Sequence, residues 1–423
     1  MKRITSPLAV DSVSCIRFTA PEGSVSSSRH LAQNMKAATK KTNVVLIFQI
    51  GSLGDTVISI PCYREIARRH PKATRYLLTN YPRCVKMVAA EALLSQTGLI
   101  AGCVEYPMPL PGVDAILSLY RKLRSLHVKT LYYLAPEMNL TRLVRHYAFF
   151  RICGITDIHG MPWSRDLRYP REIEKKGIWE SEASRLLRCV GAHTESGPPL
   201  SADRDLNLSE QERKTALSAL RETLGDGPII AVSVGGKVPV NDWGNGNWSE
   251  LLEKLSRQQP GLGAVFVGSA DERARNDQLA IAWKGSSFNS CGMFSPRETA
   301  ALIERACLFI GHDTGTLHLA AAVGTRIIGI FSARNVPGKW YSDRPEDTFF
   351  YNRVACFGCQ CIELAECKND RKCITSIYPD QVLAAAMEQL SRVIPVPSFI
   401  NAPPSKGLFP PGSENGSLDF SQE

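Results

Sequence analysis

Residues 307–332 read CLFIGHDTGTLHLAAAVGTRIIGIFS. An apolar run, CLFIGHD (307–313), leads through a polar turn into an Ala-rich helical stretch, GTLHLAAAVG, and then into a second apolar run, TRIIGIFS (325–332). Two short apolar runs joined by a helical pattern predict a strand–helix–strand unit of a buried parallel sheet. Asp313, Thr314, Gly315 and Thr316 fall at the carboxyl end of the first strand, where such sheets place ligands. Gly315 allows close backbone approach, and the hydroxyls and helix N-terminal amides suit phosphate. His318 lies one turn into the helix, four residues after Thr314. An ordinary capped helix explains part of this pattern, but the density of polar groups favours a binding loop.

The alternation continues outward in both directions. PIIAVSVGG (228–236) and GAVFVGS (263–269) read as strands, and 247–258, 271–283 and 381–393 as helices. In the N-terminal half, VVLIFQI (44–50) reads as a buried strand, followed by the turn GSLGD and a helical pattern through Arg69. TRYLLT (74–79) and KTLYYLA (129–135) are further strands. A helical stretch, SEASRLLRCVG, runs into the Gly/Pro/Ser-rich linker ESGPPLSADRD. Two successive β-α series divided by a linker predict an α/β protein of two doubly wound, Rossmann-like domains facing a cleft. The domains are expected over 43–195 and 196–395, between polar tails at 1–42 and 396–423 that read as disordered.

The chain has 423 residues, 44% of them hydrophobic and 22% charged, with a net charge of +9. That is long enough for two cores, and the composition excludes collagen, wholesale disorder and a small disulfide scaffold. No apolar run approaches the roughly 20 residues of a membrane-spanning helix. The N-terminus lacks a continuous apolar signal segment, which together with the cysteines' dispersal points to a reducing cytosol.

GSLGD is the second chemical element. Gly51 and Gly54 permit a tight turn around Ser52, and Asp55 sits near a helix N-terminus at the end of the first strand. Asp55 reads either as an N-cap or as a carboxylate aimed at the cleft as general base. The stretch lacks the GK[ST] ending of a nucleotide P-loop. In VGGKVPVNDWGNGNWSELLEKL (234–255), Lys237 follows a strand and can reach phosphate, Asn247 or Ser249 can cap the helix, and Trp243 and Trp248 read as packing residues. In GSADERARND (268–277), Asp271 or Glu272 can accept from a ribose hydroxyl or complement a helix dipole.

In their order and spacing, GSLGDTVISIP, GGKVPVNDWG, VGSADE and HDTGTLHLAAAVGTRIIGIF resemble glycosyltransferase family 9, the bacterial ADP-heptose:lipopolysaccharide heptosyltransferases and their relatives. The resemblance spans residues 44 to about 393. It implies a GT-B architecture with an N-terminal acceptor domain and a C-terminal donor domain. It also implies inverting, metal-independent transfer from an ADP- or other NDP-sugar to a lipopolysaccharide core or related surface glycan. By the same resemblance Asp55 is the base, Thr314, Gly315 and Thr316 bind phosphate, Asp313 lies near the sugar with His318 in the same helix, and Glu272 or Asp271 meets the ribose. Many members carry Lys two residues before the Trp of GGKVPVNDWG; here that place is Asn241, and Lys237 is the substitute at hand. Loss of that Lys also raises the alternative of a nucleotide-sugar-binding protein without transfer activity.

Two features remain. Residues 121–151 hold seven Lys/Arg, among them Arg121, Arg142 and Arg145, against Glu137 alone. They read either as solvated helix faces or as an acceptor surface for a lipid-linked saccharide or the anionic inner membrane leaflet; no nucleic-acid partner is expected. Of 13 cysteines, five crowd into CFGCQCIELAECKNDRKC as Cys356, Cys359, Cys361, Cys367 and Cys373. Such spacing suits free thiols, structural zinc or an iron–sulfur cluster, and it raises a metal- or redox-regulated protein on the same fold as a further alternative.

Overall fold

The computed structural model describes residues 43–80, 89–108, 112–135, 138–173, 177–192 and 204–393. Both tails read from the sequence, most of the linker, Cys15 and Cys84 lie outside the described residues.

Two parallel sheets carry the molecule. The first is built from β1 (Val44–Phe48), β2 (Thr74–Thr79), β3 (Gly102–Glu105), β4 (Thr130–Tyr133) and β5 (Asp157–His159), in the order β3-β2-β1-β4-β5. A short antiparallel pair follows, β6 (Glu172–Ile173) with β7 (Ile178–Trp179). The second sheet comprises β8 (Ile229–Ser233), β9 (Gly263–Phe266), β10 (Ser287–Asn289), β11 (Leu308–His312), β12 (Ile327–Ile330) and β13 (Thr348–Phe350), in the order β10-β9-β8-β11-β12-β13. In each sheet the order reverses beside the first strand, β1 next to β4 and β8 next to β11. Those reversals open the crevices in which α/β sheets bind ligands. The central strands are apolar on both faces because helices cover both, as their unbroken apolar runs require.

The helices are α1 (Leu53–Ile58), α2 (Ile60–Arg69), α3 (Ala90–Leu94), α4 (Val113–Ser125), α5 (Leu140–Ile152), α6 (Arg165–Arg168) and α7 (Glu182–Cys189), then α8 (Glu210–Leu224), α9 (Asn245–Gln258), α10 (Arg273–Ala280), α11 (Pro296–Glu304), α12 (Gly315–Ala322), α13 (Lys372–Thr375) and α14 (Pro379–Ser391). Helices α4 and α5 bury Leu119, Leu123, Leu143 and Phe150 against one face of the first sheet. On its other face, α2, α3 and α7 join a core that runs on without a break into α8, α11 and α12 of the second domain.

Local chemistry shifts some boundaries. The helix expected through Arg69 breaks at Ser59, because Pro61 has no N–H to return to the preceding turn. The helix expected over 271–283 starts instead as a 3₁₀ turn at Ala270–Glu272 and ends at Ala280. Neither Asn247 nor Ser249 caps α9; Gly244 does so, at φ 98°, a conformation open to glycine.

The two domains are pinned by Arg297 of α11, which is buried. Its guanidinium bonds both carboxylate oxygens of Glu212 at 2.6 and 3.0 Å and the carbonyls of Leu206 and Asn207. Its fifth contact crosses to the first domain, the Leu93 carbonyl at 3.0 Å. Removing the cation leaves Glu212 with only the Ser209 N–H and hydroxyl on its Oε2, and takes the guanidinium donor from three carbonyls; losing one partner of such a pair typically costs about 3–5 kcal/mol. Arg297→Met is therefore expected to lower the denaturation midpoint by that order, as measured by urea unfolding; a change near zero would mean that Glu212 and the carbonyls find other partners.

Candidate active site

The turn after β1 is held by Asn80, whose amide closes on both sides of the Gly51 peptide: Gly51 N–H donates to Oδ1 at 2.9 Å and Nδ2 donates to the Gly51 carbonyl at 3.1 Å. Ser52, not Asp55, is the N-cap of α1. Asp55 stands at the third helical position and reaches back, its Oδ2 accepting from the Ser52 N–H at 2.7 Å and the Ser52 hydroxyl at 3.0 Å. Oδ1 accepts no hydrogen bond among the described residues. Burial raises the pKa of this carboxyl, opposed by the two bonds from Ser52; the Glu182 charge raises it further and Lys237 lowers it.

Across the molecule, Thr314 caps α12. A chain of hydroxyls runs from Thr314 to Thr316 at 2.8 Å and on to Ser233 at the end of β8 at 2.7 Å. Asp313 precedes the cap. Burial, with the Asp55 charge nearby, lifts its pKa to about 7 against the opposing pull of Arg334 and Lys339. His318 Nε2 lies 3.8 Å from Asp313 Oδ1. Burial pushes the imidazole down to about 3, so it faces Asp313 as a neutral ring and forms no ion pair near neutrality.

These two loops meet. A Cβ on Gly54 would stand 2.6 Å from the His318 ring, and one on Gly315 would stand 2.9 Å from the Leu53 side chain. Only glycine permits either approach, so the amino ends of α1 and α12 abut with both aspartates between them. A second seam lies alongside: Trp179 N–H donates to the Pro337 carbonyl, and Glu182 N–H to the Lys339 carbonyl, both at 2.8 Å.

The donor-side candidates separate. Glu272 is wedged between Gly235 and Gly268, either of which would collide with its carboxylate on gaining a Cβ. Its Oε2 accepts from the Ser269 N–H at 2.8 Å. Asp271 beside it points to solvent. Lys237 is exposed on the loop after β8, within electrostatic reach of Asp55. Asn241 is buried and accepts from the Ser332 hydroxyl at 2.6 Å, so it ties its loop to the end of β12. Trp243 and Trp248 are buried packing residues, and both donate to His312 Nε2, at 3.2 and 3.3 Å. Arg121, Arg142 and Arg145 lie on the outer faces of α4 and α5, joined to the Asp55 cluster by no bond or ion pair among the described residues.

Cys356, Cys359, Cys361, Cys367 and Cys373 all line one cavity of about 20 Å³, shared with Ser332, Arg334 and Arg371. Burial and neighbouring thiols push the Cys361 thiol up to about 11. Among the described residues no group of three or more His, Cys, Asp or Glu is placed to hold a metal ion. The segment braces the site: Arg334 donates to the carbonyls of Gln360 and Cys361, and Arg371 donates to the Asp242 carbonyl at 2.9 Å.

Asn80, Glu182, Arg334 and Lys339 were not singled out from the sequence. Asn80 stands one residue past the end of β2, a strand-end position that could have flagged it; the others reach the site only through tertiary contacts.

Two Rossmann-like domains meeting at the carboxyl ends of their sheets are the GT-B architecture of nucleotide-sugar glycosyltransferases. The chain belongs to glycosyltransferase family 9 (heptosyltransferase), whose profile matches residues 137–364, more than half of its length. It is similar to lipopolysaccharide heptosyltransferase 3 of Escherichia coli K12, at 36% identity over 94 residues, 22% of this chain and 27% of that protein. The match thus spans about a quarter of that curated relative. Among solved structures, a family 9 glycosyl transferase from Veillonella parvula aligns with a TM-score of 0.63 and 16% identity, covering 83% of this chain and 98% of its own. The ADP-heptose lipopolysaccharide heptosyltransferase II of E. coli aligns at 0.60 and 16%, covering 82% and 98%.

The Asp313 environment has a pH signature. Its pKa is raised on folding, so between about pH 4 and 7 the folded chain holds a proton that the unfolded chain has released, and stability falls as pH rises through that window. In Asp313→Asn this loss disappears. The melting temperature of the variant relative to wild type is expected to climb from pH 4 to 7 and to level off above; a difference independent of pH would mean that Asp313 titrates normally.

Proposed function

We propose that the protein is an inverting glycosyltransferase that moves a sugar, heptose in the first instance, from an ADP-sugar to a lipopolysaccharide-core or related lipid-linked saccharide. The observation that carries this reading is the meeting of Asp55 with the Asp313–Thr316 loop across the two domains. The similar E. coli enzyme named for ADP-heptose supports the choice of donor.

The chemistry follows from the groups present. The acceptor hydroxyl gives its proton to Asp55 Oδ1 as its oxygen attacks the anomeric carbon, and the bond from that carbon to the diphosphate oxygen breaks on the opposite face. A carboxyl raised by burial is a stronger base than an exposed one. Negative charge gathers on the departing diphosphate, where the Thr314 and Thr316 hydroxyls, the amides opening α12 and Lys237 meet it. Lys237 fills the charge role here, since Asn241 is committed to Ser332. Asp313, lifted to about 7, is protonated in about half of the molecules at neutrality, and in that form offers a hydrogen bond to a sugar or phosphate oxygen without repelling it. Glu272, between its two glycines, accepts from the ribose. No step in this scheme calls for a metal.

Asp55→Asn is expected to lower kcat by about 10²–10⁴-fold, the usual contribution of a general base, while the thermal shift produced by ADP-heptose stays near the wild-type value. Wild-type turnover in the variant would reject Asp55 as the base. Binding of the donor without any transfer by the wild-type chain would instead favour a nucleotide-sugar-binding protein.

For the five cysteines we propose a thiolate-bound structural site, zinc or an iron–sulfur cluster. The shared cavity and the donor type support it, although the side chains must turn inward to converge. Elemental analysis of native protein is expected to find zinc, or iron with acid-labile sulfide, lost together with thermal stability in Cys356→Ser/Cys359→Ser. Metal-free native protein would overturn this.

A further inference from the structure

Helix α5 has two apolar faces. The inner one buries Leu143, His146 and Phe150. On the outer side, Leu140, Val144 and Tyr147 fall within about 60° of arc at 3.6 residues per turn, and they stand open to solvent, Leu140 at 49% and Val144 at 52% exposure. Ile152 at the far end is 67% exposed. Helix α4 repeats the arrangement. It buries Leu119 and Leu123, while Val113 (71% exposed), Ile116 and Leu117 form an open apolar flank. Trp163 packs edge-on against Tyr147 with ring centroids 5.4 Å apart, extending the surface with an exposed aromatic pair.

The charge on this surface is one-sided. Helices α4 and α5 carry Arg121, Lys122, Arg124, Arg142, Arg145 and Arg151 against the single acid Asp114. Arg121, Arg142 and Arg145 enter no ion pair among the described residues. Both helices start at the carboxyl end of the first sheet, the same end as the turn that carries Asp55, and both cover one face of that sheet.

We propose that the outer face of α4 and α5 docks on an anionic phospholipid bilayer. These exposed apolar side chains share one flank on each of two helices that cover the same sheet face, and such grouping, unlike apolar residues scattered singly, marks an interaction surface. Aliphatic residues dip into the headgroup boundary, a Tyr–Trp pair sits at its level, and arginines around them meet lipid phosphates at about 1 kcal/mol each. A protein partner with an apolar face would need acids to match Arg121, Arg142 and Arg145, whereas an anionic leaflet supplies both in one surface. Docked in this way, α4 and α5 lie along the membrane, with the sheet end that carries the Asp55 turn at one end of the docked surface, which suits an acceptor that cannot leave the bilayer; this last point rests on the lipid-linked acceptor proposed above, while the exposure and the charge do not.

The test is co-sedimentation of the full chain with vesicles of phosphatidylcholine alone or with about 30 mol% phosphatidylglycerol. Binding to the anionic vesicles only, weakened as salt rises from about 0.05 to 0.5 M, is expected. Leu117→Gln/Val144→Gln, which touches no residue of the active site, is expected to weaken that binding at least about tenfold. Its donor-induced thermal shift and its transfer to a water-soluble acceptor fragment should stay at the wild-type level. Absence of binding by wild type, equal binding by the variant, or self-association of wild type that the variant abolishes without any vesicle binding would each overturn the proposal. Binding without transfer to any acceptor would leave the docking surface standing and reject the proposed activity; transfer without binding would do the reverse.

Discussion

Everything at the site depends on two helix ends touching through glycine. With a Cβ at Gly54 the His318 ring would have to move, and with one at Gly315 the Leu53 side chain would. Either displacement separates the amino ends of α1 and α12, and with them Asp55 and Asp313. Burial is what makes both carboxyls unusual: it raises each of them, the Glu182 charge adds to the effect at Asp55, and the Asp55 charge adds to it at Asp313. Two carboxyls raised above the usual carboxylate range thus stand where the two helix ends meet, with no special residue type needed.

That contact is held in place at some distance. Arg297 and the continuous apolar core fix α11 and α12 against the first domain. Within the second domain, His312 at the end of β11 accepts from two tryptophans, and burial pushes it down to about 4, so it serves as a neutral acceptor. It thereby locks the loop of Asn241 and Trp243 to the strand that delivers Asp313. The cysteine segment adds a brace from outside through Arg334 and Arg371, and Arg334 also faces Asp313. A change at the cysteines therefore reaches the donor loop through two arginines.

The parts legible in the sequence were those whose signal is local. Long apolar runs such as Val44–Phe48 and Ile229–Ser233 identify buried parallel strands, and the turns after them mark the crevice. Edge strands such as Ser287–Asn289 were not read, because three half-buried residues carry no periodic signal. The choice between Asp55 as cap and as base was posed on the wrong residue. Ser52 and Asp55 form a reciprocal pair three residues apart, a spacing visible in the sequence, and the pair leaves one carboxylate oxygen unused. Glu182, Arg334 and Lys339 could not be read at all, since each reaches the site only through the tertiary fold: Glu182 acts on Asp55 from the far end of the first domain, and Arg334 and Lys339 act on Asp313 from beyond the next strand.

Asn241 shows how a lost charge can be compatible with the same site. The position is buried, and a lysine there would need a fixed anionic partner to stay charged. Asparagine needs only the Ser332 hydroxyl, which it has, and the bond secures the loop that carries Lys237. Lys237 itself is exposed and makes no hydrogen bond or ion pair among the described residues, so in the proposed reaction it keeps its charge in water until a diphosphate arrives. On the proposed reading the cation is moved from a buried post to a flexible one. The cost of holding a buried charge falls away, and ordering a mobile side chain when the donor binds takes its place.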